Sequence, residues 1–317
     1  MFTDLHPQLF QHLFDYLSQQ ELIDCLFINQ EFYRQIMKYI DRFILKIKNN
    51  NQFRIALRDN CIISIKLNRK NVDWDWGLHG ACEGGNIELI KYTIKHGTDN
   101  FNQELMRACK YGHLNVIHFL IELGARDFDG GLYGACANGN EEIIKLMIDK
   151  GATNWNLGLV GACDAGKIDI INMMIEKGAN HWNYALYGAC RGGHLNIINM
   201  MIEKGANNWN FGLQGAISGN NLNIVDMMIA KGATNWNYAL EGATDSTWDY
   251  TEKLVNFCIT NGATNLNDAL HEACPREYSM KILIEKGAKY CSKCAKSMDE
   301  HMKIWRDNFD EITDEIG

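Results

Sequence analysis

The residues best suited to chemistry are Cys291 and Cys294, which form a Cys-x-x-Cys pair with His301 seven residues beyond. Thiols at this spacing can bind zinc or exchange a disulfide. A structural zinc site needs four ligands, and a second Cys/His pair at matching spacing is absent from the sequence. Three interpretations therefore stay open for Cys291 and Cys294: a metal site, a redox pair, or ordinary residues of a C-terminal helix that caps the fold.

Other catalytic signatures are missing from the sequence. It contains no phosphate loop, dinucleotide fingerprint, nucleophile elbow or zinc-protease motif. His113 and His194 each follow a glycine at a turn between helical segments, where we expect them to make hydrogen bonds within the turn. The sequence therefore predicts a protein that is not an enzyme and has no catalytic residues, cofactor or bound metal.

Composition narrows the range of partners. The 317 residues are 46% hydrophobic and 22% charged, enough apolar material for a buried core. A net charge of −8 argues against nucleic acids and anionic membranes, because both require a basic surface. No apolar run approaches the ~20 residues of a membrane span, and the N-terminus does not resemble a secretory signal. Eleven cysteines, an odd number at regular spacing, favour free thiols in a reducing, cytoplasmic compartment.

The chain repeats itself every 27 residues from Gly97 to Gly232, and the last two intervals, to Gly262 and Gly287, are 30 and 25 residues. A Gly-Ala or Gly-Thr pair closes most units, and a leucine and a small buried-type residue recur in step. The closing glycines are Gly97, Gly124, Gly151, Gly178, Gly205, Gly232, Gly262 and Gly287. The leucines are Leu78, Leu105, Leu132, Leu159, Leu186, Leu213, Leu240 and Leu270, and the small series includes Cys82, Cys109, Cys136, Cys163 and Cys190.

Each unit contains two helical patterns. An Asn or Asp three residues before each leucine, such as Asn156, is predicted to be the N-cap of the first helix. A glycine such as Gly166 ends that helix, and Ile168, Ile171 and Met174 give the second helix an apolar face. Because a two-helix unit this short cannot bury its apolar face alone, the units must stack into an all-α solenoid.

This pattern resembles the ankyrin repeat. The Leu-x-x-Ala of Leu186 to Ala189, the Gly193-His194 turn and the closing Gly-Ala match the family's signature. The resemblance covers about residues 73 to 288 and implies an ankyrin-repeat solenoid that binds proteins. An ordinary unit has 33 residues, so these units are about six residues shorter. The missing residues fall in the projecting hairpin, so we expect tight turns in its place.

An apolar residue, aromatic in seven of the eight units, stands four positions before each leucine. The series is Trp74, Phe101, Phe128, Trp155, Trp182, Trp209, Trp236 and Leu266. We predict a buried ladder in which each ring packs between neighbouring units. The alternative is a set of separately exposed aromatic side chains.

Two positions on the first helix vary from unit to unit while their neighbours do not. They lie one and five residues after the leucine and share a helix face. In the ankyrin family the equivalent strip lines the concave groove. We therefore predict target binding by five residues of this strip: Tyr133, Tyr187, Arg191, Lys110 and Asp164. The alternative is that these side chains are merely solvated.

Residues 1–42 do not fit the repeat and read as three short helices. Their apolar spacing resembles the F-box, although the proline is displaced by one position and Phe32 replaces the usual tryptophan. The resemblance implies binding to a Skp-type adaptor of a cullin ubiquitin ligase. The matching residues are Leu5, Pro7, Leu9, Leu13, Phe14, Leu17, Leu22, Ile28 and Phe32. The alternative is a helical cap on the solenoid.

Four segments follow from these patterns: an F-box-like domain (1–42), a degenerate capping unit (43–72), eight ankyrin-like repeats (73–288), and a closing helix with an acidic tail (289–317). An F-box before ankyrin units is similar to proteins encoded by large DNA viruses of protists. The implied function is a monomeric, intracellular adaptor that recruits a target protein for ubiquitination, in the host cytoplasm if viral. The alternative is an ankyrin scaffold or inhibitor without a ligase. The sequence does not identify the target.

Overall fold

A computed structural model of the chain describes residues 50–59, 74–244, 248–273 and 277–289. The F-box-like segment 1–42 and the pair Cys291 and Cys294 lie outside the described residues. So do two members of the variable strip, Asp245 and Pro275, and the small residue Cys274.

All regular elements in the described part of the chain are α-helices, and they belong to two compact units. The first unit contains α1 (Asn50–Arg58), α2 (Trp74–Glu83) and α3 (Ile87–Ile94). The second contains α4 (Phe101–Tyr111), α5 (Leu114–Glu122), α6 (Phe128–Asn138), α7 (Glu141–Asp149), α8 (Trp155–Asp164), α9 (Ile168–Glu176), α10 (Trp182–Gly192), α11 (Leu195–Glu203), α12 (Trp209–Ser218), α13 (Leu222–Ala230), α14 (Trp236–Thr244), α15 (Trp248–Thr260), α16 (Leu266–Ala273) and α17 (Glu277–Glu285). None of these helices combines the length and the apolar character needed to cross a bilayer.

In the first unit, α1 packs closely against α2. Phe53 and Leu57 of α1 are fully buried. The backbones approach so closely that a Cβ added to Gly80 would lie 2.0 Å from the carbonyl oxygen of Arg54. An ion pair of 2.8 Å joins Arg54 to Glu83 across the same interface. Helix α1 is thus the described part of the predicted capping unit (43–72), and it packs on α2. That this unit caps the array stays a prediction.

The second unit consists of helix pairs whose inward residues are those that the repeat marks. Leu159 and Cys163 of α8 are fully buried, as are the equivalent leucines and cysteines of α4, α6 and α10. Burial raises the pKa of the Cys163 thiol to about 12, with a further contribution from the negative charge of Asp164. These cysteines are free and buried, which confirms the prediction of a small residue used repeatedly in the core.

Glycine allows the first helices of neighbouring pairs to touch through their backbones. A Cβ added to Gly161 of α8 would lie 2.3 Å from the carbonyl oxygen of Tyr133 on α6. Since real Cβ atoms essentially never come so close to a backbone oxygen, an alanine there would force the helices apart. We call this set the interface glycines, with the same close approach at each: Gly134, Gly161, Gly188, Gly215 and Gly242.

In the second unit the Asn or Asp three residues before the leucine does not cap its own helix, so the N-cap prediction for this position is wrong there. The cap of α8 is Asn154, whose side chain accepts from the Leu157 amide. Asn156 instead accepts from two backbone amides of the next loop, those of Asn180 at 2.8 Å and His181 at 2.9 Å. We call the residues with this role the bridging series: Asn102, Asp129, Asn156, Asn183, Asn210, Asn237 and Asn267.

The aromatic ladder is only half-buried, so the prediction of a buried ladder is wrong in degree. Each ring of the series retains partial exposure. Three of the tryptophans lie beneath the lysine that ends the second helix of the same pair. Lys204, the C-cap of α11, has its Nζ 5.4 Å from the centroid of the Trp182 ring. The Trp182 ring therefore covers the C-terminal end of α11, the second helix of the same pair, and gains a cation–π contact with Lys204.

Candidate protein-binding surface

One face of the first helices in the second unit carries most of the side chains that vary between repeats. On α10, residues Tyr184, Tyr187 and Arg191 are three and four positions apart and share this face. We call it the first-helix face. The equivalent residues are Leu157, Val160 and Asp164 on α8, Phe211, Gln214 and Ser218 on α12, and Tyr238 and Glu241 on α14. Each position thus forms a row that runs from helix to helix.

Three predicted target-binding residues meet in one cluster that crosses α6, α8 and α10. The Arg191 guanidinium donates from Nε to Asp164 Oδ1 at 2.8 Å and from Nη2 to Asp164 Oδ2 at 2.6 Å. Nη2 also donates to the Tyr133 hydroxyl, which in turn donates to Asp164 Oδ2 at 3.4 Å. A paired guanidinium and carboxylate in this two-point geometry is stronger and more rigid than an ordinary surface ion pair.

The cluster is partly withdrawn from water, and the pKa values reflect this. The Arg191 side chain is 27% exposed and that of Asp164 is 11% exposed. Burial acts to lower the pKa of Arg191, but the hydrogen bonds that Arg191 donates to Asp164 and the nearby oxygens outweigh it and raise the pKa above its ordinary value. Burial raises the pKa of Tyr133 to about 12, against the opposing charge of Arg191. Tyr133 is therefore a neutral hydrogen-bond donor at physiological pH, and the charges of Asp164 and Arg191 cancel.

Tyr187 joins the cluster through its ring. The guanidinium carbon of Arg191 lies 5.9 Å from the centroid of the Tyr187 ring. The Tyr187 hydroxyl and Nη1 of Arg191 make no hydrogen bond within the described residues. The cluster thus presents a fixed aromatic ring, a hydroxyl and guanidinium donors, all held by side chains that are already paired with each other.

Lys110 is not brought into this cluster. It lies at the end of α4 and is exposed, and its side chain makes no hydrogen bond or ion pair in the described part of the chain. Its backbone carbonyl oxygen accepts from the side-chain amide of Asn138 at 3.0 Å. Four of the five predicted residues therefore lie together, and the fifth stands apart as a free cation.

Sequence reasoning missed a third row of the first-helix face. Tyr184 is 54% exposed and Tyr238 is 39% exposed, with the half-buried Phe211 between them. The ring centroids are 5.2 Å apart for Tyr184 and Phe211 and 6.1 Å apart for Phe211 and Tyr238. We call these three residues the aromatic row. Their 27-residue spacing was visible in the sequence, three positions before the row that contains Tyr187.

The turn residue His194 has a structural partner. Its Nε2 lies 3.1 Å from the carbonyl oxygen of Asp164, at the end of the preceding first helix. One repeat further on, the Asn221 side-chain amide donates to the Arg191 carbonyl oxygen at 2.8 Å. These bonds satisfy carbonyl groups that a helix leaves open at its C-terminus. The ring of His194 thus ties neighbouring repeats together beneath the Asp164–Arg191 pair.

Reactive groups in the described part of the chain are few. No group of three or more His, Cys, Asp and Glu side chains there is placed to hold a metal ion. The thiols of Cys136 and Cys190 are buried, and burial raises the pKa of each to about 12. A thiol with so high a pKa is a poor nucleophile at neutral pH. The geometry of the first-helix face suits recognition of another molecule rather than covalent chemistry.

Comparison with known proteins identifies the repeats. Residues 78–157 match a family model described as ankyrin repeats (3 copies). Among solved structures, the human ASB11 ankyrin repeat domain is similar, at 19% identity and a TM-score of 0.30, with 68% of this chain and 99% of that chain covered. A search of curated proteins found no match. Ankyrin repeats indicate a protein-binding scaffold and imply protein partners. Residues 78–157 are thus similar to ankyrin repeats, and the predicted fold class, an all-α ankyrin-repeat solenoid, is confirmed.

Proposed function

We propose that the chain binds a target protein through the first-helix face, with Tyr133, Tyr187, Arg191, Asp164 and Lys110 in contact with the target. The observation that carries this proposal is the cluster that joins Tyr133, Asp164 and Arg191 across three successive helices. Side chains already locked by their neighbours lose little conformational entropy on binding. Tyrosine and arginine in such settings are the residues that most often dominate the free energy of association.

Tyr187 offers the cleanest test of this surface, because its hydroxyl makes no bond in the described structure. Affinity purification and mass spectrometry from the natural host identify the target. The Tyr187→Ala variant should then weaken target binding by about 2 kcal/mol, or roughly thirtyfold in Kd. Its melting midpoint should stay close to that of the parent chain. Binding by isothermal titration calorimetry and unfolding by circular dichroism measure the two quantities.

A matched control lies on the other side of the repeats. Lys145 and Asp149 are exposed residues of the second helix α7. The double variant Lys145→Ala/Asp149→Ala should bind the target as the parent does. If this variant loses the target while Tyr187→Ala keeps it, the first-helix face is not the binding surface.

We further propose that residues 1–42 bind a Skp-type adaptor, so that the bound target is presented to a cullin ubiquitin ligase. Two features of the sequence support this proposal. The apolar spacing from Leu5 to Phe32 is similar to that of the F-box, and the ankyrin-like repeats follow this segment in the chain. In this function the chain itself performs no chemistry. Its contribution is to hold two proteins at once, which raises the effective concentration of one near the other.

The double variant Leu13→Asp/Phe14→Asp in the full chain tests the adaptor function. It should abolish co-purification with the Skp-type adaptor and leave the helical signal and the target affinity unchanged. A general loss of helical signal would mean that Leu13 and Phe14 belong to a cap on the solenoid. A parent chain that binds its target but no adaptor would instead favour a scaffold or inhibitor without a ligase.

A further inference from the structure

The aromatic row is an exposed apolar strip on three successive repeats. Tyr184, Phe211 and Tyr238 all stand near the start of a first helix, and neighbouring rings are tilted by 33° and 36° to one another. The two tyrosine hydroxyls make no hydrogen bond within the described residues. Scattered exposed aromatic side chains need no explanation, but a contiguous row that is rimmed by polar residues marks a binding site.

On the side of the loops, the rim of the row carries no full charge. The loop residues that precede α10, α12 and α14 are all amides, hydroxyls or histidine: Asn180, His181, Asn207, Asn208, Thr234 and Asn235. On the other side the charged neighbour is Glu241, whose Oε2 already accepts from Gln214 Nε2 at 3.4 Å. An acidic ligand would therefore lose its hydration at the row without meeting a counter-charge. Tyrosine and asparagine together are also typical of paratopes, where rigid rings supply contact area and amides supply hydrogen bonds. The surroundings of the row thus favour a ligand without acidic groups.

We propose that the aromatic row binds an uncharged, proline-rich segment of a partner protein in the polyproline II conformation. This inference rests on the proposed function, because it assigns a ligand class to one row of the first-helix face. Proline rings pack on aromatic rings, and a polyproline II segment is already ordered before it binds. At about 3.1 Å per residue, about four residues of such a segment cover the three rings.

The hydrogen-bonding groups of the row support the same ligand. The backbones of the first helices are bonded internally, so they offer no open edge to which a β-strand could add. A proline-rich segment needs no such edge, since proline lacks the backbone N–H. Its free carbonyl oxygens can accept from the hydroxyls of Tyr184 and Tyr238. These hydroxyls then fix the register of the segment along the row.

A row of aromatic rings also suits the bases of a single-stranded nucleic acid, but the surrounding charge does not. Binding of that kind requires a basic groove along the phosphates. The chain has a net charge of −8, and the rim of the row contains no lysine or arginine. The lysines of these repeats, such as Lys204, lie over the tryptophan rings at the ends of the second helices. A protein ligand is therefore the better fit.

Fluorescence anisotropy with the full chain tests the proposal. The probes are a labelled oligoproline peptide long enough to span three repeats, a glycine–serine peptide of equal length, and a labelled oligothymidine. Only the oligoproline should show saturable binding. The Tyr184→Ala/Tyr238→Ala variant should weaken that binding by about tenfold or more, because stacked aromatic contacts dominate such sites.

A control pair of similar exposure is available on the second helices. Leu195 is 48% exposed and Leu222 is 52% exposed, so Leu195→Ala/Leu222→Ala removes comparable apolar surface elsewhere. This variant should bind oligoproline as the parent does. The proposal is overturned if oligoproline fails to bind, if both variants affect it equally, or if oligothymidine competes for the row.

The same variants separate this inference from the proposed function. If the natural target still binds Tyr184→Ala/Tyr238→Ala with full affinity but not Tyr187→Ala, the binding face stands and the proline-rich ligand is wrong. If oligoproline binding depends on the aromatic row while target binding survives Tyr187→Ala, the ligand assignment stands and the proposed contacts of the cluster are wrong.

Discussion

Replacing Asn156 by alanine removes the acceptor of two backbone hydrogen bonds, from the amides of Asn180 and His181. Each bond contributes about 0.5–1.5 kcal/mol net, and both are exposed enough for water to replace part of the loss. We therefore expect the free energy of unfolding to fall by about 1–2 kcal/mol. Urea denaturation followed by circular dichroism measures it, and the slope with denaturant should not change. Hydrogen exchange at Asn180 and His181 should accelerate, because their amides lose their partner.

Two further variants make the prediction about Asn156 specific. Asn156→Asp should retain most of the stability, because Asp129 already makes the equivalent pair of bonds, to the amides of Thr153 at 2.7 Å and Asn154 at 2.9 Å. Asn154→Ala removes an N-cap with one side-chain bond, so it should cost about 1 kcal/mol and leave exchange at His181 unchanged. The reasoning fails if Asn156→Ala accelerates exchange at the start of its own helix instead of in the next loop.

Three other outcomes follow from the buried contacts. Gly161→Ala should destabilise the chain by more than 1 kcal/mol in thermal unfolding, although alanine is the better helix former, because its Cβ would lie 2.3 Å from the Tyr133 carbonyl oxygen; a gain in stability would show that the helices separate freely. Trp182→Ala should cost about 2 kcal/mol, less than the ~3–5 kcal/mol of a fully buried ring, and a larger loss would mean that the ring is a core residue. Because the folded-state pKa of the Cys163 thiol is raised from 9.0 to about 12, its contribution to stability is complete below pH 9 and is lost as the pH rises towards 12. Between pH 9 and pH 12, the unfolding free energy of the parent chain should therefore fall by about 1.4 kcal/mol per pH unit more than that of Cys163→Ala. Parallel profiles of unfolding free energy against pH for the two proteins would contradict this.

The sequence was informative wherever one residue type served one purpose in every repeat. The recurring leucines and cysteines are buried, because two short helices form a core only where one unit stacks on the next. The closing glycines also behave as predicted: Gly151 and Gly178 have φ values of 113° and 104°, which favour glycine. These features depend on local conformation and on burial, which a repeat reveals directly.

The bridging series was misread because its partner is remote. An Asn within the first turn of a helix satisfies the sequence rule for a cap, and nothing local distinguishes Asn154 from Asn156. The distinction depends on which loop lies above the side chain, 24 and 25 residues further along the chain. Only the stacking of one pair on the next determines that arrangement.

The cluster on the first-helix face was predicted as separate residues and not as a network. Variation between repeats pointed to Asp164 and Arg191, which lie 27 residues apart and are therefore equivalent in adjacent repeats. The repeat length thus already implied that their side chains would be neighbours. What the sequence could not show is the third helix: Tyr133 reaches the guanidinium of Arg191 across an intervening repeat.

Because of the interface glycines and the bridging series, the repeats pack on their neighbours through equivalent contacts, so one repeat can take the place of another. Each first helix from α6 to α14 presents the same close backbone surface to its neighbour, and the loops from α4 onward are fastened by an Asn or Asp at the same position of the repeat. Removing any 27 consecutive residues between Gly134 and Gly242 would therefore join equivalent positions and leave both fastenings intact. Recombination between the repeats can lengthen or shorten the binding face in steps of one helix pair, and each step changes which side chains are adjacent without altering how the helices are held.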